Sequence, residues 1–357
     1  MPALPVSSTG VRSRWLGLAV LTLPVILTSM DITILHIAIP TITHELTPSS
    51  SQTLWILDAY GFLLAGLLIV MGNIGDRIGR RRLLLIGAAL FGAASILAAF
   101  APSPEVLIAA RALMGIGGAT LMPSTLSLIR NLFTDPGERT RAIGIWTASL
   151  SGGIALGPII GGLLLEAFWW GSVFLINVPV IALLLVIAPR LVPEYRSPAS
   201  ARLDALSVLL SFATILPVVR AIKTAAEDLA LTPPVAIGLA VGLLAGAAFL
   251  LRQRRLRAPL VDVGLFSNPQ FSGAVLGAGL AMFSLVGVML YSAQFLQLVE
   301  DLSPLIAALA MLPVMVAVGV MAVLASVLVR RFGYPLVFGA GAAVAAAGML
   351  AFSRVPV

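Results

Sequence analysis

No cysteine occurs in the 357 residues, which excludes a disulfide framework, thiolate metal sites and cysteine nucleophiles. Two histidines are too few for a histidine-based metal centre. Charge is scarce as well: 10% of residues are Asp, Glu, Lys or Arg, where a soluble domain carries about 25%. Water is therefore the wrong solvent for most of this surface. A G-x-x-x-x-G-K-[ST] phosphate loop is missing, which argues against an ATP-driven pump. H-E-x-x-H and G-x-S-x-G are missing too.

Apolar residues are what the chain has in excess, 59% of the total. With a mean hydropathy of +1.07 spread from end to end, they rule out a single anchor on a soluble head. A spanning helix needs about 20 apolar residues, and eleven stretches nearly free of Lys, Arg, Asp and Glu fit: 15–39, 53–72, 83–101, 106–129, 142–165, 171–189, 205–222, 232–251, 271–298, 304–329 and 335–353. Pro40, Pro48, Pro102, Pro104, Pro136, Pro193, Pro198 and Pro269 are read as punctuation between them.

The formal charge of +7 and the pI near 10.9 would suggest nucleic acid in a soluble protein, so the placement of the arginines decides. Alternate loops collect Arg12 and Arg14; Arg77, Arg80, Arg81 and Arg82; Arg130, Arg139 and Arg141; Arg190, Arg196 and Arg202; Arg252, Arg254, Arg255 and Arg257; and Arg330 and Arg331. These are 18 of the 22 basic residues. The opposite loops carry Glu45, Glu105, Glu166, Glu227, Asp228, Glu300 and Asp301. By the positive-inside rule the N-terminus is expected in the cytoplasm, and no nucleic-acid partner is needed to explain the basic charge. The first apolar run lacks an A-x-A-like cleavage site, so it reads as an uncleaved helix rather than a signal peptide.

Asp31 in the first span and Asp58 in the second are expensive, since a carboxylate at the bilayer centre costs about 2.5 to 3.5 kcal/mol. Both are expected to face a wet cavity; the alternative for Asp58 is an interfacial position near the outer loop. Arg111 is the basic residue set well inside an apolar stretch. Its guanidinium stays protonated, so it would hold a carboxylate or water rather than carry the proton, or serve as a purely structural polar partner. Gly153, Gly157 and Gly161 recur every four residues beside Pro158 and Gly162. They create a face without side chains for close helix approach, and the proline introduces a kink. Gly72, Gly75, Asp76, Arg77, Gly79 and Arg80 form a glycine-punctuated turn with a charge lock between the second and third spans. Arg331-Phe332-Gly333 echoes Arg77-Ile78-Gly79 and hints at related halves, a common build for secondary transporters. His36, close to a helix end, reads as packed or interfacial.

Together these stretches resemble the major facilitator superfamily, specifically its 14-helix drug:proton antiporters. Gly72 to Leu84 resembles the signature loop G-x-L-a-D-R-x-G-R-K/R, and Gly153 to Gly162 matches G-x-x-x-G-P-x-x-G-G. Arg111 falls on the family's helix-4 arginine. Met30 to Pro40 resembles l-D-x-T-v-v-N-v-A-l-P, with His36 in place of asparagine. Trp170 to Pro179 resembles W-R-W-x-F-x-I-N-x-P, with Gly171 in place of arginine.

The resemblance implies an all-α polytopic membrane protein of the major facilitator fold with about 11 transmembrane helices. The expected organisation is an N-terminal six-helix bundle at 1–189, a two-helix insert with flanking cytoplasmic loops at 190–257, and a partial C-terminal bundle at 258–357. It also implies proton-coupled export of lipophilic cations, quaternary ammonium compounds and dyes, across the cytoplasmic membrane. No enzyme activity, metal or cofactor is implied; the proton motive force would supply the energy and lipid the surroundings, and a monomer is expected. Asp31, Asp58 and Arg111 would bind substrate and couple protons, Gly72, Asp76, Arg77, Gly79 and Arg80 would gate the inner face, and Gly153, Gly157, Pro158, Gly161 and Gly162 would form the antiporter helix. The chain stops after the eleventh span of a 14-helix pattern, which leaves two alternatives open: a facilitator-type carrier of another small metabolite, or a non-transporting truncated membrane protein.

Overall fold

The computed structural model of the chain describes residues 11–196, 204–228, 230, 232–256 and 259–352, and among these it is helical with no strand. The helices are α1 (Val11–Leu46), α2 (Ser50–Ile78), α3 (Arg80–Ala99), α4 (Pro104–Leu132), α5 (Pro136–Ala167), α6 (Ser172–Leu175), α7 (Asn177–Leu191), α8 (Ala205–Asp228), α9 (Pro233–Arg255), α10 (Pro269–Leu298), α11 (Pro304–Ala310), α12 (Leu312–Phe332) and α13 (Tyr334–Phe352). A short 3-10 turn, Val263–Ser267, precedes α10.

Local sequence explains where these helices start. Proline occupies the first turn of α4, α5, α9, α10 and α11, where its missing N–H costs nothing and its fixed φ suits the helix. The residue before it often caps: Asp135 accepts from the Glu138 amide at 2.8 Å, and Asn268 accepts from that of Gln270 at 2.9 Å. Ser49 and Gln52 form a reciprocal capping box on α2.

Among the described residues nine helices are long and apolar enough to cross a membrane, and two shorter apolar stretches, Pro304–Val318 and Pro335–Ala351, fall at the tenth and eleventh expected spans. Three details depart from the sequence reading. Pro40, taken as punctuation, lies inside α1, which continues to Leu46, because a proline in a membrane helix deletes one donor that neighbouring groups can compensate. The sixth span breaks at Ile176 into α6 and α7, and the tenth breaks at Met311 just before Pro313. Pro198 falls outside the described residues.

One apolar core runs through α1 to α7, from Leu18 to Val192. A second, smaller cluster sets Ile37 of α1 against Met289 and Ala293 of α10, Ala308 of α11 and Met311. Large apolar side chains such as Leu243, Leu244, Leu276, Phe283 and Val344 point outward, the pattern of a chain whose surface meets lipid.

Candidate functional site

The α1–α5 seam sets the position of Asp31. A Cβ on Gly153 would lie 2.6 Å from the Ile26 carbonyl oxygen, one on Gly157 2.9 Å from that of Met30, and one on Gly161 2.7 Å from Ile34 Cγ1. Only glycine permits this approach, and the Thr33 hydroxyl fastens it by donating to the Ile154 carbonyl at 3.0 Å. The stripe therefore clamps the turns of α1 on either side of Asp31. Gly162 faces elsewhere, onto the backbone of Pro304 and Leu305 where α11 begins.

Asp31 and Arg111 of α4 form a direct ion pair between side chains that are both 1% exposed. Arg111 Nε donates to the Ile56 carbonyl of α2 at 3.1 Å, and its guanidinium lies 4.6 Å from the Tyr60 ring centre and 5.9 Å from that of Phe174. Tyr60 in turn donates to the Thr28 carbonyl at 3.1 Å. One arginine thus joins α1, α2, α4 and α6. Asp31 Oδ2 faces Arg111, while Oδ1 is buried without a hydrogen-bond partner. A buried polar atom in that state marks a place where a proton or a cationic group would be stabilised.

Asp58 is placed differently. It is 41% exposed and pairs with Lys223 of α8, Nζ to Oδ2 2.6 Å, a partner that the sequence reading missed. The two carboxylates are matched to different bases on different helices, and neither lines either of the two cavities described below. His36, five residues beyond Asp31 on α1, lies within electrostatic reach of both Arg111 and Asp58.

The turn after α2 is a lock. Gly79 adopts φ +115°, a conformation that favours glycine, and its position lets Arg80 reach back, Nε to Asp76 Oδ1 2.8 Å. Arg77 is exposed on the last turn of α2. The counterpart Gly333 also ends a helix at positive φ, +81°, so the sequence echo corresponds to a repeated backbone feature. Glu194, which the sequence reading passed over as loop, accepts from the Arg81 and Arg82 amides at 2.9 and 3.1 Å, a charge-assisted cap on α3. Gly79 leaves it room, since a Cβ there would stand 2.6 Å from the Glu194 carboxyl carbon. A cavity of about 410 Å³ opens beside this lock, between Gly72, Asp76, Arg80, Arg130, Asn131 and Tyr195. At the same end Arg14 of α1 pairs with Glu138 of α5 at 3.0 Å. A larger, apolar cavity of about 640 Å³ lies between α10, α11 and α12, lined by Met289, Tyr291, Phe295 and Met311 among others.

The profile of the Major Facilitator Superfamily matches residues 21–357. The chain belongs to the major facilitator superfamily. This superfamily member is 52% identical over 308 residues to the multidrug efflux pump LfrA of Mycolicibacterium smegmatis, covering 86% of the chain and 61% of LfrA. It is 41% identical over 333 residues to the methyl viologen resistance protein SmvA of Salmonella typhimurium, covering 93% of the chain and 67% of SmvA. It is 37% identical over 359 residues to the puromycin resistance protein pur8 of Streptomyces alboniger, 99% of the chain and 71% of that protein. The chain therefore spans about three fifths to two thirds of the first two relatives' length. A crystal structure of a peptide transporter, POT, shares the fold at a TM-score of 0.61 and 20% identity, over 88% of the chain and 69% of POT. The relatives agree with the drug-antiporter branch that the motifs resemble, and the superfamily and its spans make this a multi-pass membrane protein of a transporter family.

Proposed function

We propose that the chain exports lipophilic cations across the cytoplasmic membrane in exchange for protons, with its N-terminus and basic loops in the cytoplasm. The observation that carries this reading is the buried Asp31–Arg111 pair with its free carboxylate oxygen. Protonating Asp31 leaves the guanidinium a buried, uncompensated cation, and a buried charge that loses its partner is destabilising by about 3 to 5 kcal/mol. The pair therefore has two distinct arrangements that a single proton biases, and the four helices joined at Arg111 move with it. A cationic cargo favours the ionised arrangement and a proton the other. That difference is the condition for exchange, because a ligand shifts an equilibrium only by its differential affinity for the two states.

The glycine seam supports this reading by holding Asp31 against α5, and the Asp76–Arg80 lock with its Glu194 cap supports a gate at the basic face. Energy would come from the proton motive force. The name of SmvA, a methyl viologen resistance protein, agrees with a cationic cargo, and that of LfrA, a multidrug efflux pump, with export. Cells expressing the chain should accumulate less ethidium than control cells, and a protonophore should erase the difference. Equal accumulation with and without the chain would overturn the reading.

A further inference from the structure

The ends of α2 and α8 carry a second arrangement that the exchange scheme above does not use. Lys223 is the one lysine among the chain's 22 basic residues. Its ammonium nitrogen lies 2.6 Å from Asp58 Oδ2, 4.9 Å from the Trp55 ring centre and 5.9 Å from that of Phe62. The two rings stand edge-to-face, 6.1 Å apart. Trp55, Asp58 and Phe62 all belong to the first four turns of α2, so the helix alone builds the three walls and α8 supplies what fills them.

A carboxylate flanked by two aromatic faces is the chemistry that holds organic cations. The family resemblance already gives Asp58 to the substrate; we propose that Trp55 and Phe62 complete that site for a delocalised organic cation, and that Lys223 fills it as a tethered counter-cation which the cargo displaces. This rests on the efflux reading for its purpose, though not for its test. The exposures fit displacement: the Lys223 side chain is 10% exposed and that of Asp58 41%, so an arriving cation meets an open side of the carboxylate before the ammonium has left. The energetics fit as well. A compact ammonium is strongly hydrated and gains water when released, whereas a delocalised cation loses little on leaving it. The α2–α8 contact survives the exchange, because Phe212 of α8 sits over Gly66 of α2, its ring 2.8 Å from where a Cβ would be. Lys223 can leave on its own flexible stem while the helices stay docked.

The single lysine makes the test specific. The purified full chain in nanodiscs is acylated with N-hydroxysuccinimidyl acetate, and modification of Lys223 is read by mass spectrometry against the N-terminal amine as internal reference. Saturating tetraphenylphosphonium should speed Lys223 acylation roughly tenfold, the scale set by losing a desolvated cation–aromatic contact, and neutral triphenylphosphine oxide should leave it unchanged. Asp58→Asn should react fast without any cation and respond no further. Lys223→Met should bind tetraphenylphosphonium more tightly than the wild type. Acylation unaffected by tetraphenylphosphonium, slowed by it, or accelerated equally by the neutral oxide would overturn the proposal and make the pair a structural latch. Displacement seen here beside absent ethidium export in cells would refute the efflux reading and keep the cage; export without displacement would do the reverse.

Discussion

The Asp31 and Asp58 sites use the same ingredients, one acid, one base and aromatic rings, to opposite ends. Asp31 and Arg111 are each 1% exposed and tied to four helices, whereas Asp58 is 41% exposed and held by one flexible lysine. Burial turns an ion pair into an element in which the loss of either partner's charge is costly. Exposure makes it a cheap contact that can be exchanged. The choice of base follows the same division. Arginine keeps its charge and forms several directed bonds at once, while lysine is a point charge on a mobile stem.

The largest effect is expected where the comparison is most easily broken. Arg111→Ala strands the Asp31 charge and should cost about 3 to 5 kcal/mol, read as a lower apparent melting temperature of the purified protein. Adding Asp31→Asn should recover much of that loss, which a role for Arg111 in packing alone would not allow.

Next comes the seam that holds Asp31. Gly157→Val pushes a side chain into the Met30 backbone, where even a Cβ lies at 2.9 Å, and should cost about 1 to 3 kcal/mol by overpacking. Gly152→Ala, one residue before the stripe with nothing within 4 Å, should be neutral or raise stability by up to about 1 kcal/mol through helix propensity. Equal losses for both would mean that the stripe is not a packing face.

Lys223→Met should change stability by less than about 1 kcal/mol, the scale of a pair with an open side. A loss as large as that of Arg111→Ala would erase the contrast between the two sites.

The smallest effect concerns pH and the α8–α9 hairpin. Asp204 accepts from Arg252 at 2.9 and 2.8 Å, and these bonds first, then those from Ser207, hold its carboxyl well below the usual range. A carboxyl lowered by folding stabilises at pH above its unfolded value, and the contribution is lost as pH falls through that value towards the folded one. The Asp204→Asn protein should therefore melt slightly earlier than the wild type near neutrality, and the gap should close in acid. A gap that does not narrow at all as the pH falls below the free carboxyl value would show that another group carries the acid dependence.

Much of this was legible beforehand, for physical reasons. Charges inside apolar runs and glycines in helical register are rare enough to mark Asp31, Arg111 and the Gly153 to Gly161 face, and alternation of arginines marks the loops. The partner of Asp58 was not legible, because it depends on where α8 docks, and a base near the end of an apolar run looks like ordinary loop charge. Its one signal was compositional: a single lysine among arginines. Glu194 was hidden for a similar reason, since its role exists only once the segment after α7 folds back onto α3. Pro40 misled because a proline ends a helix in water more reliably than in a membrane.

The central claim is that Asp31 couples cargo to protons, and reconstitution tests it most directly. Proteoliposomes containing the purified chain should take up ethidium when a pH gradient is imposed, and the Asp31→Asn protein should still insert and fold yet show uptake independent of the gradient. Gradient-driven uptake by Asp31→Asn equal to that of the wild type, or none by the wild type itself, would contradict the account.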